Sequence, residues 1–505
     1  MQDHVFTAVS RRRFLATGGA LLGSSLFADA AAPRHGKTIS ILHTTDLHGH
    51  ILPTENYDGF GDLGGFARCA TQIRRWRKEL PDSLLVDIGD VYQGTQASLQ
   101  NDGKLMIELF NKLGYDAWVL GNHDFDWGRD VAEGALELSK SPVLTANLTV
   151  DGKVPAEAGG VWKKVRPWMV REVGGFRIGL IGLITPGLPA WLTPATLGGI
   201  APLDPVESLK QCLKEIQAEK PDAVVVLGHM GWRFQDDFAN PVREILAGSE
   251  GVDVYLAGHS HQDQPSWMTG RVLCSQANYY GIHCGRIDLT FDLESRKLLE
   301  RRAFTVLMDS RFELDPEVME VSKVELAKAD AEMKRKVCTV KTPIKGGARG
   351  SGTSELFCKA FAEALKKGGT PVDGVFHGVF GKEGIPAGDL TVDDCWKLLP
   401  YENGLLVADL TAADLFDILA EDGNQRTLWP FEAAADGTGL LLQGKPLEAG
   451  KRYKIAFNTY DGQSGGRRLM KLQEILNRPE SKRTETMVAA RPALIDYLSE
   501  QKVIE

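Results

Sequence analysis

Seven side chains of metal-binding type recur along this chain in short polar segments: Asp46 and His48 in Thr-Asp-Leu-His, Asp90 in Gly-Asp, Asn122 in Gly-Asn-His-Asp, His229 in Gly-His, and His259 and His261 in Gly-His-Ser-His. Carboxylate, imidazole and amide donors without thiolate suit hard or borderline divalent ions such as zinc, manganese, iron, cobalt or magnesium, rather than a structural zinc site. Asp90 is the carboxylate best placed to bridge two of them. Two ions about 3.5–4 Å apart clamp a phosphoryl group, polarise its oxygens and lower the pKa of a bound water. Hydrolysis of a phosphate ester is the natural use of such a centre.

Most of the donors follow an apolar run that ends in glycine or a polar residue: Ile39–Leu42, Leu84–Ile88, Trp118–Leu120, Ala223–Leu227 and Val252–Ala257. Continuous apolar runs of this length predict strands covered on both faces, with the donors on loops at one edge of a sheet. Covering helices are expected between them. Asp204-Pro205 is an N-cap with proline at the first helical position, followed by Val206, Leu209, Leu213 and Ile216 at helical spacing until Lys220-Pro221.

These segments resemble the calcineurin-like metallophosphoesterases, and more narrowly the secreted bacterial 5′-nucleotidase and UDP-sugar hydrolase family. The match is carried by Asp46-x-His48, Gly89-Asp90-x-x-Gln93-Gly94, Gly121-Asn122-His123-Asp124-Phe125-Asp126, Gly228-His229 and Gly258-His259-x-His261. The resemblance implies a four-layered α/β/β/α sandwich followed by a C-terminal α/β substrate domain. It also implies that Asp46, His48, Asp90 and His261 hold one metal while Asp90, Asn122, His229 and His259 hold the other. His123 becomes the catalytic imidazole and Asp126 its orienting carboxylate. Asp124, His43 and His50 are expected to serve packing or hydrogen bonding beside the motifs.

A length of 505 residues fits two domains with sizeable cores. The expected division is a leader over 1–32, a metallophosphoesterase domain over 36–312, a linking helix over 313–336 and a substrate domain over 337–505. Asp315-Pro316 starts the link, and the alternating charges of Glu317–Lys336 predict a solvated helix. In the resembling family two aromatics sandwich a nucleobase and arginines hold the nucleotide. The matching positions are Tyr401 and Tyr460 for the clamp, Arg349 for the first arginine, and Asn403 in Leu399-Pro400-Tyr401-Glu402-Asn403. Departures are equally visible. Relatives carry Asn-Gly-Gly-x-x-Arg where this chain has His377-Gly378-Val379-Phe380-Gly381-Lys382, which replaces an arginine fork by a point charge. Near the second aromatic they carry Asn-Gly-Gly-Asp, against Gln463-Ser464-Gly465-Gly466-Arg467 here.

Ser10-Arg11-Arg12-Arg13-Phe14-Leu15, an apolar stretch from Ala16 to Ala28 and the small-residue site Ala28-Asp29-Ala30 read as a twin-arginine export signal. The twin-arginine translocation machinery is then a transient partner and the periplasm or exterior the destination. Seven cysteines do not make a disulfide scaffold. Cys69, Cys212 and Cys358 are expected buried on helix faces, and Cys274 and Cys284 could pair across a hairpin. A formal charge of −9 disfavours nucleic acid as a partner, and no later segment is apolar enough to cross a bilayer. The expected protein is an exported dimetal phosphohydrolase acting on nucleotides. Alternatives are a 2′,3′-cyclic nucleotide phosphodiesterase, a phosphatase of sugar or other organic phosphates, a sulfur-oxidation hydrolase of the same fold, and a non-catalytic binding protein that keeps metal as a staple.

Overall fold

The computed structural model describes residues 36–347, 352–378, 384–423, 425–434 and 439–505; the proposed export signal lies outside them. The apolar runs form the expected strands, and they divide between two sheets. One sheet has seven strands in the order Leu298–Leu307, His283–Asp292, Gly36–Thr44, Ser83–Asp87, Ala117–Val119, Val143–Leu144 and Val165–Arg166. The other has six, in the order Asp263–Thr269, Val272–Ala277, Val254–Ala257, Ala223–His229, Phe176–Ile184 and Trp168–Val173. The strands that lead to the donors pair in parallel within their sheets. Their carboxyl ends therefore emerge along one edge, where ligand sites of α/β sheets form.

Alternation along each strand builds the layers. Ile39, Ile41, Val86, Val225, Leu256 and Leu289 point between the sheets and form a dry core there. On the far face of the first sheet Leu42, Leu85 and Trp118 meet Phe66, Ile73, Leu105, Phe110 and Leu136 from the helices Phe66–Glu79, Lys104–Leu113 and Arg129–Leu138. On the far face of the second, Ile181, Val224 and Val226 meet Leu209, Leu213 and Ile216 of the helix Pro205–Ile216. Asp204 caps that helix by accepting from the amides of Val206 and Glu207, as its sequence predicts. The result is the four-layered α/β/β/α sandwich.

The C-terminal part is built on a five-stranded sheet in the order Thr427–Trp429, Gly374–His377, Arg452–Asn458, Gly404–Thr411 and Thr484–Ala489. The helices Thr353–Lys367 and Ala490–Gln501 cover one face, and Ala412–Asp422 with Met470–Leu476 cover the other. Thr411 and Asp414 close the capping box read in the sequence. A second box, Thr391 with Asp394, starts the helix Val392–Leu398.

Two expectations need correction. Cys274 packs on the outer face of the second sheet and Cys284 on the outer face of the first, so the sandwich separates them and no hairpin joins them. All seven cysteines are free and buried. The helix Pro316–Met333 is not a solvated rod: Val318 is buried, and Met319, Val321 and Leu326 pack beside it on the helical layer of the first sheet. Its alternating charges hide this because the apolar face is narrow.

Asp315 anchors that helix by accepting from the amides of Glu317 and Val318 while Arg74 Nε donates to it at 2.7 Å. Replacing Asp315 by alanine is expected to destabilise the protein by about 1–2 kcal/mol, read as a lower urea midpoint, with Asp315→Asn recovering part of the loss.

Candidate metal centre

His229 is the last residue of its strand, and every other donor sits a few residues beyond the end of one, where the chain must turn sharply. Five of the seven do so in the left-handed region of backbone space: Asp46 (φ 50°), His48 (φ 48°), Asp90 (φ 56°), His259 (φ 68°) and His261 (φ 54°). Aspartate and histidine tolerate this region better than most residues, yet each instance costs on the order of 1 kcal/mol. The glycines before the donors let the loops close on one another. A Cβ on Gly121 would lie 2.2 Å from Asp90 Oδ1. One on Gly89, itself at φ 93°, would lie 2.7 Å from the Gly121 amide nitrogen and 2.9 Å from His229 Nδ1.

The donors converge in two groups. Asp46, His48, Asp90 and His261 bring ligand atoms within 4.8 Å of one another, and so do Asp90, His229 and His259. Asp90 belongs to both. Asn122 Oδ1 joins the second group at 3.2 Å from His229 Nε2. All seven expected donors thus meet at the loop edge.

The imidazoles are aimed by their outer nitrogens. His48 Nδ1 donates to the Gln93 carbonyl at 2.9 Å and His229 Nδ1 to the Ile88 carbonyl at 2.6 Å, because a carbonyl can only accept. Their inner Nε2 atoms then present lone pairs to the centre. His229 Nε2 lies 3.1 Å and His48 Nε2 3.6 Å from Asp90 Oδ2, and His48 Nε2 lies 3.0 Å from His261 Nε2. Asp90 Oδ2 is buried without a hydrogen-bond partner, while Asp90 Oδ1 accepts from the His123 amide at 2.8 Å. Acceptors facing acceptors at such distances call for cations between them. Protons answer partly: burial opposes charge on His229, but Asp90 and Asp46 outweigh it and lift its pKa to about 9. Divalent ions do so more completely, so the residues fit two of them.

His123 stands at the rim, its Nδ1 2.7 Å from Asp126 Oδ2. Burial works against its charge, but Asp126 and Asp90 prevail and raise it to about 10. Asp124 takes the supporting part expected of it. Its carboxylate accepts from the amides of Val91 (2.9 Å), Asp90 (3.1 Å) and Gly121 (2.8 Å), which ties two donor loops together. Burial, aided by Asp90, pushes Asp124 up to about 7. His50 stacks on Tyr280 with ring centres 3.8 Å apart. His43 is buried within the first sheet, where Gly285 leaves room for its ring.

A cavity of about 710 Å³ opens from His123 and His259 toward the C-terminal domain. Tyr401, Asn403 and Tyr460 all line it. The Tyr401 ring lies 6.3 Å from that of His123 and nearly parallel to it. Arg349 and Lys382 lie outside the described residues. The cations that do line the cavity are Arg233 and Arg468, and the latter donates to the Tyr460 hydroxyl at 2.7 Å. Residues that the sequence did not single out stand at the centre or one contact away from it. The Tyr57 hydroxyl is 2.7 Å from His261 Nδ1, the Trp191 ring packs 5.2 Å from that of His259, and Glu402 accepts from Gln93 Nε2 at 2.6 Å. No spacing signal marks them, since each reaches the site from a remote loop.

The calcineurin-like phosphoesterase family matches residues 39–263. Among curated proteins the chain is 29% identical over 313 residues to a snake venom 5′-nucleotidase of Naja atra, covering 57% of each. It is 30% identical over 261 residues to the trifunctional nucleotide phosphoesterase protein YfkN of Bacillus subtilis, covering 47% of this chain and 17% of that one. The chain spans about half the length of the curated 5′-nucleotidases it matches first. Among solved structures, a 5′-nucleotidase precursor from Thermus thermophilus superposes with a TM-score of 0.69 at 25% identity, covering 93% of this chain and 97% of the other. Residues 39–263 carry the calcineurin-like phosphoesterase match and hold both groups of donors, and the fold as a whole resembles that of the two-domain Thermus thermophilus structure. In sequence and structure the chain is similar to 5′-nucleotidases and to a bacterial nucleotide phosphoesterase.

Gly121→Ala tests the convergence directly. The added methyl must displace the Asp90 carboxylate, so divalent-metal affinity is expected to fall about tenfold or more, measured by calorimetric titration, with a loss of about 1–3 kcal/mol in stability of the metal-free protein.

Proposed function

We propose that the protein is an exported dimetal phosphohydrolase that releases phosphate from nucleotides. One observation carries this reading: the buried Asp90 carboxylate is shared by two donor groups, beside a carboxylate-held imidazole, at the mouth of a cavity lined by aromatic rings. In this reading Asp46, His48, Asp90 and His261 hold one ion, and Asp90, Asn122, His229 and His259 the other. Bound there, two divalent ions supply charge neutralisation at the phosphoryl oxygens and an activated water.

The rest falls to side chains. His123, kept cationic by Asp126, stabilises the charge that grows on the phosphoryl oxygens in the transition state. Asp126 fixes the ring so that Nε2 faces the cavity. Tyr401 and Tyr460 offer phenol faces to a base, each stacking contact contributing on the order of 1–3 kcal/mol. Asn403 supplies a polar contact beside them, and Arg349 is assigned the first arginine of the nucleotide site. The division at a linking helix over 313–336, with the substrate domain at 337–505, belongs to the same proposal.

A phosphatase of sugar or other organic phosphates, or a 2′,3′-cyclic nucleotide phosphodiesterase, is the second reading. His377 to Lys382 favours it, since no arginine fork stands there, and the cavity cations Arg233 and Arg468 come from other loops. Export by the twin-arginine route is proposed on Ser10 to Leu15. No helix among the described residues is long and apolar enough to cross a membrane.

Purified protein loaded with manganese or zinc is expected to release phosphate from AMP with a higher kcat/KM than from p-nitrophenyl phosphate. Chelator should abolish turnover, and His123→Ala should lower kcat by about 10²–10³. Equal ranking of AMP and the aryl phosphate moves the assignment to the second reading; no turnover with any metal leaves a metal-stapled binding protein. For export, replacing Arg11 and Arg12 together by lysine is expected to leave the precursor in the cytoplasm, followed by cell fractionation.

A further inference from the structure

A continuous chain of polar contacts runs from the interior of the C-terminal domain to one donor of the metal centre. It starts at Arg491, a guanidinium only 3% exposed, on the helix Ala490–Gln501. Arg491 lies 3.5 Å over the Trp396 ring and donates from Nε to the Leu399 carbonyl at 2.7 Å. Its Nη1 donates to Glu402 Oε1 at 2.7 Å. The other oxygen of that carboxylate, Oε2, accepts from Gln93 Nε2 at 2.6 Å across the domain boundary. Gln93 in turn receives the Nδ1 proton of His48, through its carbonyl at 2.9 Å and its side-chain Oε1 at 3.2 Å. His48 Nε2 faces the shared Asp90.

Two features set this chain apart from other contacts between the domains. Thr193 Oγ1 with Glu485 (2.8 Å) and Gln463 Nε2 with the Leu192 carbonyl (3.0 Å) also join the domains, and neither ends on a donor. The Gln93 amide is committed at both ends, donating to a carboxylate and accepting from an imidazole. Each contact orients and polarises it for the other. Glu402 is itself aimed by a buried cation of the C-terminal domain, so one of its oxygens is held from that side and the other reaches the metal loops.

We propose that Glu402 is a positioning residue that couples the seating of the C-terminal domain to the aim of His48, so that the ion held by His48 binds more tightly when that domain is docked as seen here. Reciprocity follows: an ion at this position favours the docked arrangement by the same factor. The proposal deepens the phosphohydrolase reading, but its test reads metal affinity and does not need turnover.

The full-length protein, stripped of metal, is titrated with Mn²⁺ by calorimetry. Glu402→Gln and Gln93→Met are each expected to raise the dissociation constant about tenfold, and the double variant no further than the weaker single, because both break one chain. Glu485→Gln, which loosens another contact between the domains, is expected to stay within about twofold of the parent. The proposal is overturned if both single variants bind Mn²⁺ as tightly as the parent within that margin, if their effects multiply in the double variant, or if Glu485→Gln weakens binding as much as Glu402→Gln. Should Glu402→Gln leave Arg491 unpaired and fail to fold, Gln93→Met, which leaves the C-terminal core untouched, decides the question alone. A protein without phosphatase activity but with these affinities would lose the function and keep the coupling.

Discussion

The arrangement depends on one buried carboxylate, one of whose oxygens has no hydrogen-bond partner and faces imidazole nitrogens. Asp90 is fully buried, one oxygen is held by the His123 amide, and the other faces the Nε2 atoms of His229 and His48. Such a group is costly to keep in a protein interior unless counter-charge is supplied. Much of the surrounding structure serves to hold it there. Five donors accept left-handed backbone, glycines remove the Cβ atoms that would keep the loops apart, and Asp124 commits three hydrogen bonds to tying two loops together. Strained loops and crowded acceptors of this kind persist where the binding of cations stabilises the folded state by more than they destabilise it.

How much of this is legible in the sequence follows from how local each feature is. The donors are legible because a buried parallel strand leaves a continuous apolar run, and the turn beyond it needs glycine next to a polar residue. Helix starts are legible for the same reason: Asp204, Asp315 and Thr411 cap within three residues of themselves. Contacts between remote segments leave no such trace. Tyr57 reaches His261 from 204 residues away, and Gln93 reaches Glu402 from 309. The Cys274 to Cys284 expectation failed because nearness in sequence says nothing about which face of a four-layered sandwich a strand presents. The linking helix was misread because charge alternation dominates its pattern while Val318, Met319, Val321 and Leu326 make a narrow docking stripe.

The proposed reaction and the proposed substrate rest on different kinds of structure. The reaction rests on atoms held at short distances by a rigid sheet edge, where a change of about one ångström is felt. The substrate rests on a cavity whose walls come from two domains and whose cations, Arg233 and Arg468, sit on separate loops. Tyr401 and Tyr460 line that cavity, and a phenol face discriminates little, because every base and many aryl groups present a flat face. The departures near His377 and Gln463 lie on the substrate side and leave the donor loops unchanged.

The contact between Glu402 and Gln93 connects these two halves of the problem. A C-terminal domain that only carried substrate would need no link to a donor imidazole, whereas a domain whose docking also aims His48 makes the centre most competent when the cavity is assembled. The energy required is small: a tenfold change in affinity corresponds to about 1.4 kcal/mol, the scale of one charge-assisted hydrogen bond. A single carboxylate crossing the boundary is enough to supply it. Buried Arg491 holds that carboxylate in place from the side of the C-terminal domain, through a charge-assisted hydrogen bond of 2.7 Å.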